Sequence, residues 1–177
     1  MTESDSKSSA VGSPFWRFSL RFYRMSGVAE TCITLQERSG VDVNLLLYLL
    51  WQASQRREFA ADDVAVLEKE IAPWRAAAVI PLRMVRRALK EPPGLVMGAA
   101  AEVFRNKIKA VELEAERLQQ EAMYGLAQTQ SVGRPAVSSE QAARHIVAAY
   151  EAMLGTQLPA SAVEALLEKF VTMNTGD

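Results

Sequence analysis

One cysteine and one histidine are all that the 177 residues offer of two side chains central to metal and nucleophile chemistry. With Cys32 alone, no internal disulfide can form, which fits a reducing compartment. On a predicted helix with no histidine nearby in sequence, it reads as a buried thiol. His145 stands between Arg144 and Ile146, with no ExxH or HExxH spacing. Metal sites need several converging ligands, so His145 reads as structural and no metal or cofactor is expected. No GxSxG, GxGxxG or Walker sequence occurs. The paired aspartates of "ADDVAV" read as acids at a helix start, and a second Asp-rich motif, as diphosphate chemistry would need, is absent.

Charge of one sign is also lacking. Net charge is -1, so no global field pulls the chain toward nucleic acid or membrane, and any such binding needs a local patch. The longest uncharged apolar stretch falls far short of the ~20 residues of a spanning helix. The opening "MTESDSKSSAVGSP" has no apolar h-region, and residues 1–13 read as a disordered tail. These absences predict a soluble cytoplasmic protein that does not enter a membrane. Seven prolines and nine glycines are too few for low complexity.

What is present is helical. At 49% hydrophobic and 23% charged, the chain can bury a core. "VNLLLYLLWQ", Val43 to Gln52, is its most apolar stretch. Leucine dominates it, and no β-branched residue lies between Leu45 and Trp51. Asp42 can cap it. A helix apolar around its whole circumference must be surrounded by protein, so Val43–Gln55 is expected at the bundle centre. Asn44 and Tyr48 bring polar atoms there, expected to meet backbone groups at the helix start.

Around it, Pro14–Met25 carries a stripe of Phe15, Phe18, Phe22 and Met25, with Pro14 at a first helical position. Val28–Arg38 follows and "SG" ends it. Asp62 or Asp63 can cap a helix near Val64–Ile71. Pro73 and Pro81 predict a kink or break each, and "EPPG" predicts a stop. Leu95–Ala127 reads as one long helix. Its Met97, Ala101, Phe104, Ile108, Val111, Ala115, Leu118 and Ala122 step by four and three, the spacing of a packed seam. Its charges, Glu112, Glu114, Glu116 and Arg117 among them, read as a solvated face. Residues 128–137 read as a linker. Ser138 and Gln141 match a capping box, Gly155 closes that helix, and Pro159 or Ser161 opens the last. No strand is expected. The fold class is all-α: an irregular bundle of seven or eight helices with one long C-central helix and a C-terminal helical hairpin, residues 14–127 forming the bundle domain and 138–177 the hairpin.

Two arginine arrays stand out. On one helix over 74–90, Arg75, Arg83, Arg86, Arg87 and Lys90 fall within about a third of the circumference, beside an apolar arc of Trp74, Ala78, Leu82, Val85 and Leu89. Arg17, Arg21 and Arg24 repeat at i, i+4, i+7. Guanidinium forks grip phosphate and carboxylate in pairs of hydrogen bonds. The same arginines could equally pair with glutamates from elsewhere in the fold.

"LQERSGVDVNLLLYLLW" followed by "PWRAAAVIPLRMVRRALK" resembles an uncharacterised proteobacterial family of short conserved hypothetical proteins, domain of unknown function two-three-nine-zero. The resemblance covers Phe15 to about Lys90. It rests on Leu35, Gln36, Gly40, Asp42, Val43, Asn44, Trp74, Arg75, Pro81, Leu82, Arg83, Arg86 and Arg87. It implies a bacterial cytoplasmic setting and no catalytic residue.

Three readings follow. The first is a non-catalytic module that binds a protein partner or forms a homo-oligomer through the alanine-rich seam or the C-terminal hairpin. The second binds an anionic ligand or nucleic acid through the arginines. The third, an enzyme on a phosphorylated or carboxylated apolar substrate, would use Asp42, Asn44 or Tyr48 as polar groups beside them.

Overall fold

The computed structural model describes residues 12–92, 94–129 and 132–175. The expected tail lies outside these residues except for Gly12 and Ser13. Ser13 is instead a helix cap: its Oγ accepts from the Trp16 amide at 3.0 Å. That cap and Pro14 open α1, Pro14–Tyr23. Gly27 at φ 87° leads into α2, Val28–Ser39, and Gly40 at φ 69° closes it. Both angles lie in the left-handed region, which glycine enters without a Cβ clash.

Asp42 then caps α3, Val43–Ser54. Every residue from Asn44 to Ala53 is buried, as a helix with no polar face must be. Its helical neighbours are α1, α2 and two later helices, Ala99–Thr129 and Ser139–Leu154. The polar atoms it carries inward find side chains rather than the backbone groups expected. Gln120 Nε2 donates to Asn44 Oδ1 at 2.7 Å, and Gln52 Nε2 donates to the Tyr48 hydroxyl at 2.9 Å.

Helix α4 is longer than its apolar pattern, Ala61–Trp74, and Ala60 rather than an aspartate occupies its cap. Asp63 completes half of a capping box by accepting from the Ala60 amide at 2.9 Å. The two prolines do not break the chain into separate helices. Between them lies a π-helical turn, Arg75–Val79, continuous with α4 and with α5, Ile80–Ala88. Proline 81 has no amide and its ring presses on the carbonyl one turn back. Widening the turn relieves that pressure, and Ile80 donates five residues back to the Arg75 carbonyl.

Helix α6 begins at Ala99, four residues later than expected, and runs to Thr129, into the expected linker. It packs on α5 and the π turn, and its C-terminal half on α1 and α3. The chain then forms a short strand pair, where no strand was expected. Arg57–Glu58 (β1) pairs antiparallel with Arg134–Pro135 (β2). Two residues per strand carry no period, so no pattern announces them. Helices α7, Ser139–Leu154, and α8, Ala160–Thr175, close the chain. Ser138 Oγ caps α7 through the Gln141 amide at 3.1 Å. Ile146, Tyr150, Leu166 and Phe170 join the same core as Phe15 and Leu46, and Phe170 meets Phe22 edge-on at 6.4 Å. The fold is all-α, an irregular bundle with a long sixth helix and a C-terminal helical pair.

Candidate functional site

The arginines of the α4–α5 rod fan out from its π turn, and each meets a partner. Arg75 Nη1 donates to Asp42 Oδ2 at 2.6 Å, and the same guanidinium grips Glu68 from the preceding helix. These carboxylates hold its proton more firmly than usual against the opposing effect of burial. Asp42 is thereby fully used. Its other oxygen accepts from the Asn44 and Leu45 amides at 2.7 and 3.2 Å, and Gln119 Nε2 approaches Oδ2 at 3.3 Å.

Arg83 donates three ways: to Glu112 at 3.1 Å, Gln36 at 2.8 Å and Glu116 at 2.7 Å. Arg86 grips both oxygens of Glu112. Burial pushes the Glu112 carboxyl up, but the two guanidiniums outweigh it and hold it below its ordinary value. For Glu116 burial wins, and its carboxyl is raised despite Arg83. Arg87 reaches Glu37 at 3.3 Å on the exposed rim.

Helix α6 was expected to carry its charges on a solvated face. Arg105 with Glu102 and Arg117 with Glu114 do so, as i,i+3 pairs. Glu112 does not: it is buried beneath the α5 arginines. Its position offered no sequence signal, because a partner 26 residues away is fixed only by the fold.

Two openings border this network. A cavity of about 280 Å³ at the start of α3 brings Asp42 and Asn44 to Arg75 and Arg83. A larger cleft of about 630 Å³ runs between α1, α2, α5 and α6, with Arg83, Arg86 and Arg87 along one side. Tyr48 borders neither. It faces a separate cavity of about 350 Å³ with Trp51 and Gln52. Helix α1 turns Trp16, Leu20 and Tyr23 to the larger cleft, and Arg17, Arg21 and Arg24 are exposed outside its lining. Arg17 Nη1 donates to the Gly12 carbonyl at 2.8 Å. The two arrays therefore do not share a cleft. Ser19 and Gln120, which carry no local sequence signal, border the larger one.

Elsewhere, His145 Nδ1 lies 2.6 Å from Glu58, which also accepts from Arg134 at 2.6 Å. These two hydrogen bonds hold the Glu58 carboxyl below its ordinary value. Burial pushes the Cys32 thiol up to about 12. Among the described residues, no group of three or more His, Cys, Asp or Glu side chains is placed to hold a metal ion, and no helix is long and apolar enough to cross a membrane.

The outer face of α6 is the remaining surface of note. The expected seam splits. Ala101 and Ala115 are buried and Ile108 is half-buried, on the side packed against the rod. Met97, Phe104, Val111 and Leu118 stay 68, 51, 52 and 44% exposed. On α6, Phe104, Val111 and Leu118 form one narrow stripe at 100° per residue, flanked by exposed Ala100, Lys107 and Glu114, while Met97 precedes the helix.

The chain matches the family described as protein of unknown function (DUF2390) over residues 14–123, and it belongs to that family. No curated protein and no solved structure matches it.

Proposed function

We propose that this member of the DUF2390 family is a non-catalytic bacterial cytoplasmic module that self-associates through the outer face of α6. The observation that carries the reading is the exposed stripe at Phe104, Val111 and Leu118, three large apolar side chains of α6 spaced by sevens. Contiguous apolar surface of this kind is characteristic of a contact site, and a seven-residue repeat is the register in which two helices pack side by side.

A second copy of the chain is the occupant this face suits. An antiparallel pair with its two-fold axis at Val111 sets Val111 against itself and Phe104 against Leu118. It also brings Lys107 of each copy beside Glu114 of the other. Both residues are exposed, and Lys107 has no ion pair among the described residues. Opposite charges flanking an apolar seam favour one orientation over the others.

Sedimentation velocity on the full chain tests the reading. The wild type is expected to sediment as a dimer at micromolar concentration. Lys107→Glu should weaken it, Glu114→Lys should weaken it, and the double exchange should restore it. A wild type monomeric at high concentration, or a dimer indifferent to these charges, refutes it. A stable complex with a different protein on this face refutes self-association as well.

The nucleic-acid reading has less support, because carboxylates already engage Arg75, Arg83 and Arg86.

A further inference from the structure

The cleft between α1, α2, α5 and α6 carries an observation that the self-association reading leaves unused. Its floor holds two buried polar atoms without a partner among the described residues. Ser19 Oγ and Gln120 Oε1 make no hydrogen bond, and both residues are only 3% exposed. Gln120 is fixed in place by its Nε2 bond to Asn44. Buried polar groups are nearly always satisfied, so an orphaned donor and an orphaned acceptor facing one cleft point to a missing partner. A hydroxyl or an amide can serve both, accepting from Ser19 and donating to Gln120.

Above the floor the walls are apolar, formed by Leu20, Ile33, Val43, Leu47 and Leu113. The mouth is basic. Arg83 and Arg86 are balanced by Glu112 and Glu116, and Arg87 by Glu37. Lys90 and Lys109 also border the cleft, and neither has an ion pair among the described residues. That leaves two positive charges without a local counterpart. A volume of about 630 Å³ lies in the range of small-molecule sites.

We infer that this cleft binds a small amphipathic anion: an apolar chain with a phosphate or carboxylate at the Lys90–Lys109 mouth and a hydrogen-bonding group that reaches Ser19 and Gln120. Layer by layer the ligand repeats the cleft: polar floor, apolar wall, cationic rim. The site lies on the side of α6 away from the self-association stripe, so the two can be tested separately.

Calorimetric titration of the full chain provides the test, with three probes: 10-hydroxydecyl phosphate, 1,10-decanediol and inorganic phosphate. The phosphorylated chain should bind at least about tenfold more tightly than the diol, and inorganic phosphate should give no saturable heat. Lys90→Gln with Lys109→Gln, two surface changes, should weaken the phosphorylated probe by about tenfold while the helical circular dichroism stays unchanged. Ser19→Ala should weaken it relative to decyl phosphate without the hydroxyl. Co-sedimentation with vesicles containing phosphatidic acid distinguishes two sources of the same chemistry. Capture that the double variant loses assigns a lipid; binding of the free probe without capture assigns a soluble acid. Equal affinity for the diol and the phosphorylated probe, or full affinity in the double variant, overturns the site. So does a single-stranded oligonucleotide that displaces the probe.

Discussion

Asp42 shows how much of this fold one side chain can organise. One carboxylate oxygen caps α3 and the other holds Arg75, while its own amide donates to the Tyr150 hydroxyl at 2.9 Å. Asp42→Ala therefore removes a cap, worth about 1 kcal/mol, and leaves a half-buried guanidinium with Glu68 alone. The expected loss is roughly 2–3 kcal/mol in urea unfolding. Asp42→Asn keeps an oxygen for the cap and should lose about half as much. The capping role was legible, because aspartate before a leucine run has a single local use. The ion pair was not, since Arg75 lies 33 residues away across an unforeseen turn. Glu58 gives a pH dependence. Its folded carboxyl sits below the ordinary glutamate value of 4.5, so its contribution is fully present above that value. It is lost as pH falls through the lower folded value. Urea midpoints should therefore fall more steeply with acid below about pH 4.5 in the wild type than in Glu58→Gln. Equal slopes would remove Glu58 from the account.

At the scale of elements, helices were legible wherever burial alone decides them. The α3 run, the α1 phenylalanine stripe and the Ser138 cap of α7 each follow from one local rule. The exceptions are places where two segments distant in sequence settle the matter. The π turn is one: two prolines predicted a kink or a break each, and the chain instead stays helical through a widened turn that also packs against α6. The β1–β2 bridge is another, and Gly133 is its most constrained point. Its φ of +79° is a glycine conformation, and an added Cβ would stand 2.8 Å from the Glu58 carbonyl oxygen. Gly133→Ala is thus both strained and obstructed. It should cost roughly 1–3 kcal/mol by thermal or urea unfolding. A cost near zero would mean that the bridge forms without this approach.

At the scale of the molecule, a central apolar helix lies inside a helical shell, with a rod and a long helix at one side. The rod is stitched to α6 by Arg83, Arg86 and Glu112, and α5 itself contains no buried residue. These ion pairs, with the half-buried Leu82, are what α5 presents to its neighbours in place of a fully buried apolar side chain. The sequence marked these arginines as unusual, but the glutamates that meet them could be assigned only from the fold. Likewise the heptad spacing of α6 was plain, yet which half of its seam would be covered was not. The covered positions are mostly alanine, while the uncovered ones include the large Phe104, Val111 and Leu118 beside the small Ala122. That inversion leads to the claim of self-association.

A single cysteine at Val111 tests that claim most directly. In an antiparallel pair with its axis at Val111, the two introduced thiols face each other, while the native Cys32 is buried with its thiol raised to about 12. Mild oxidation of Val111→Cys at micromolar concentration should give a disulfide-linked dimer in non-reducing gels. The same change at exposed Met84, outside the stripe, should not. A Val111→Cys chain that stays monomeric, or crosslinks no faster than Met84→Cys, would contradict the account.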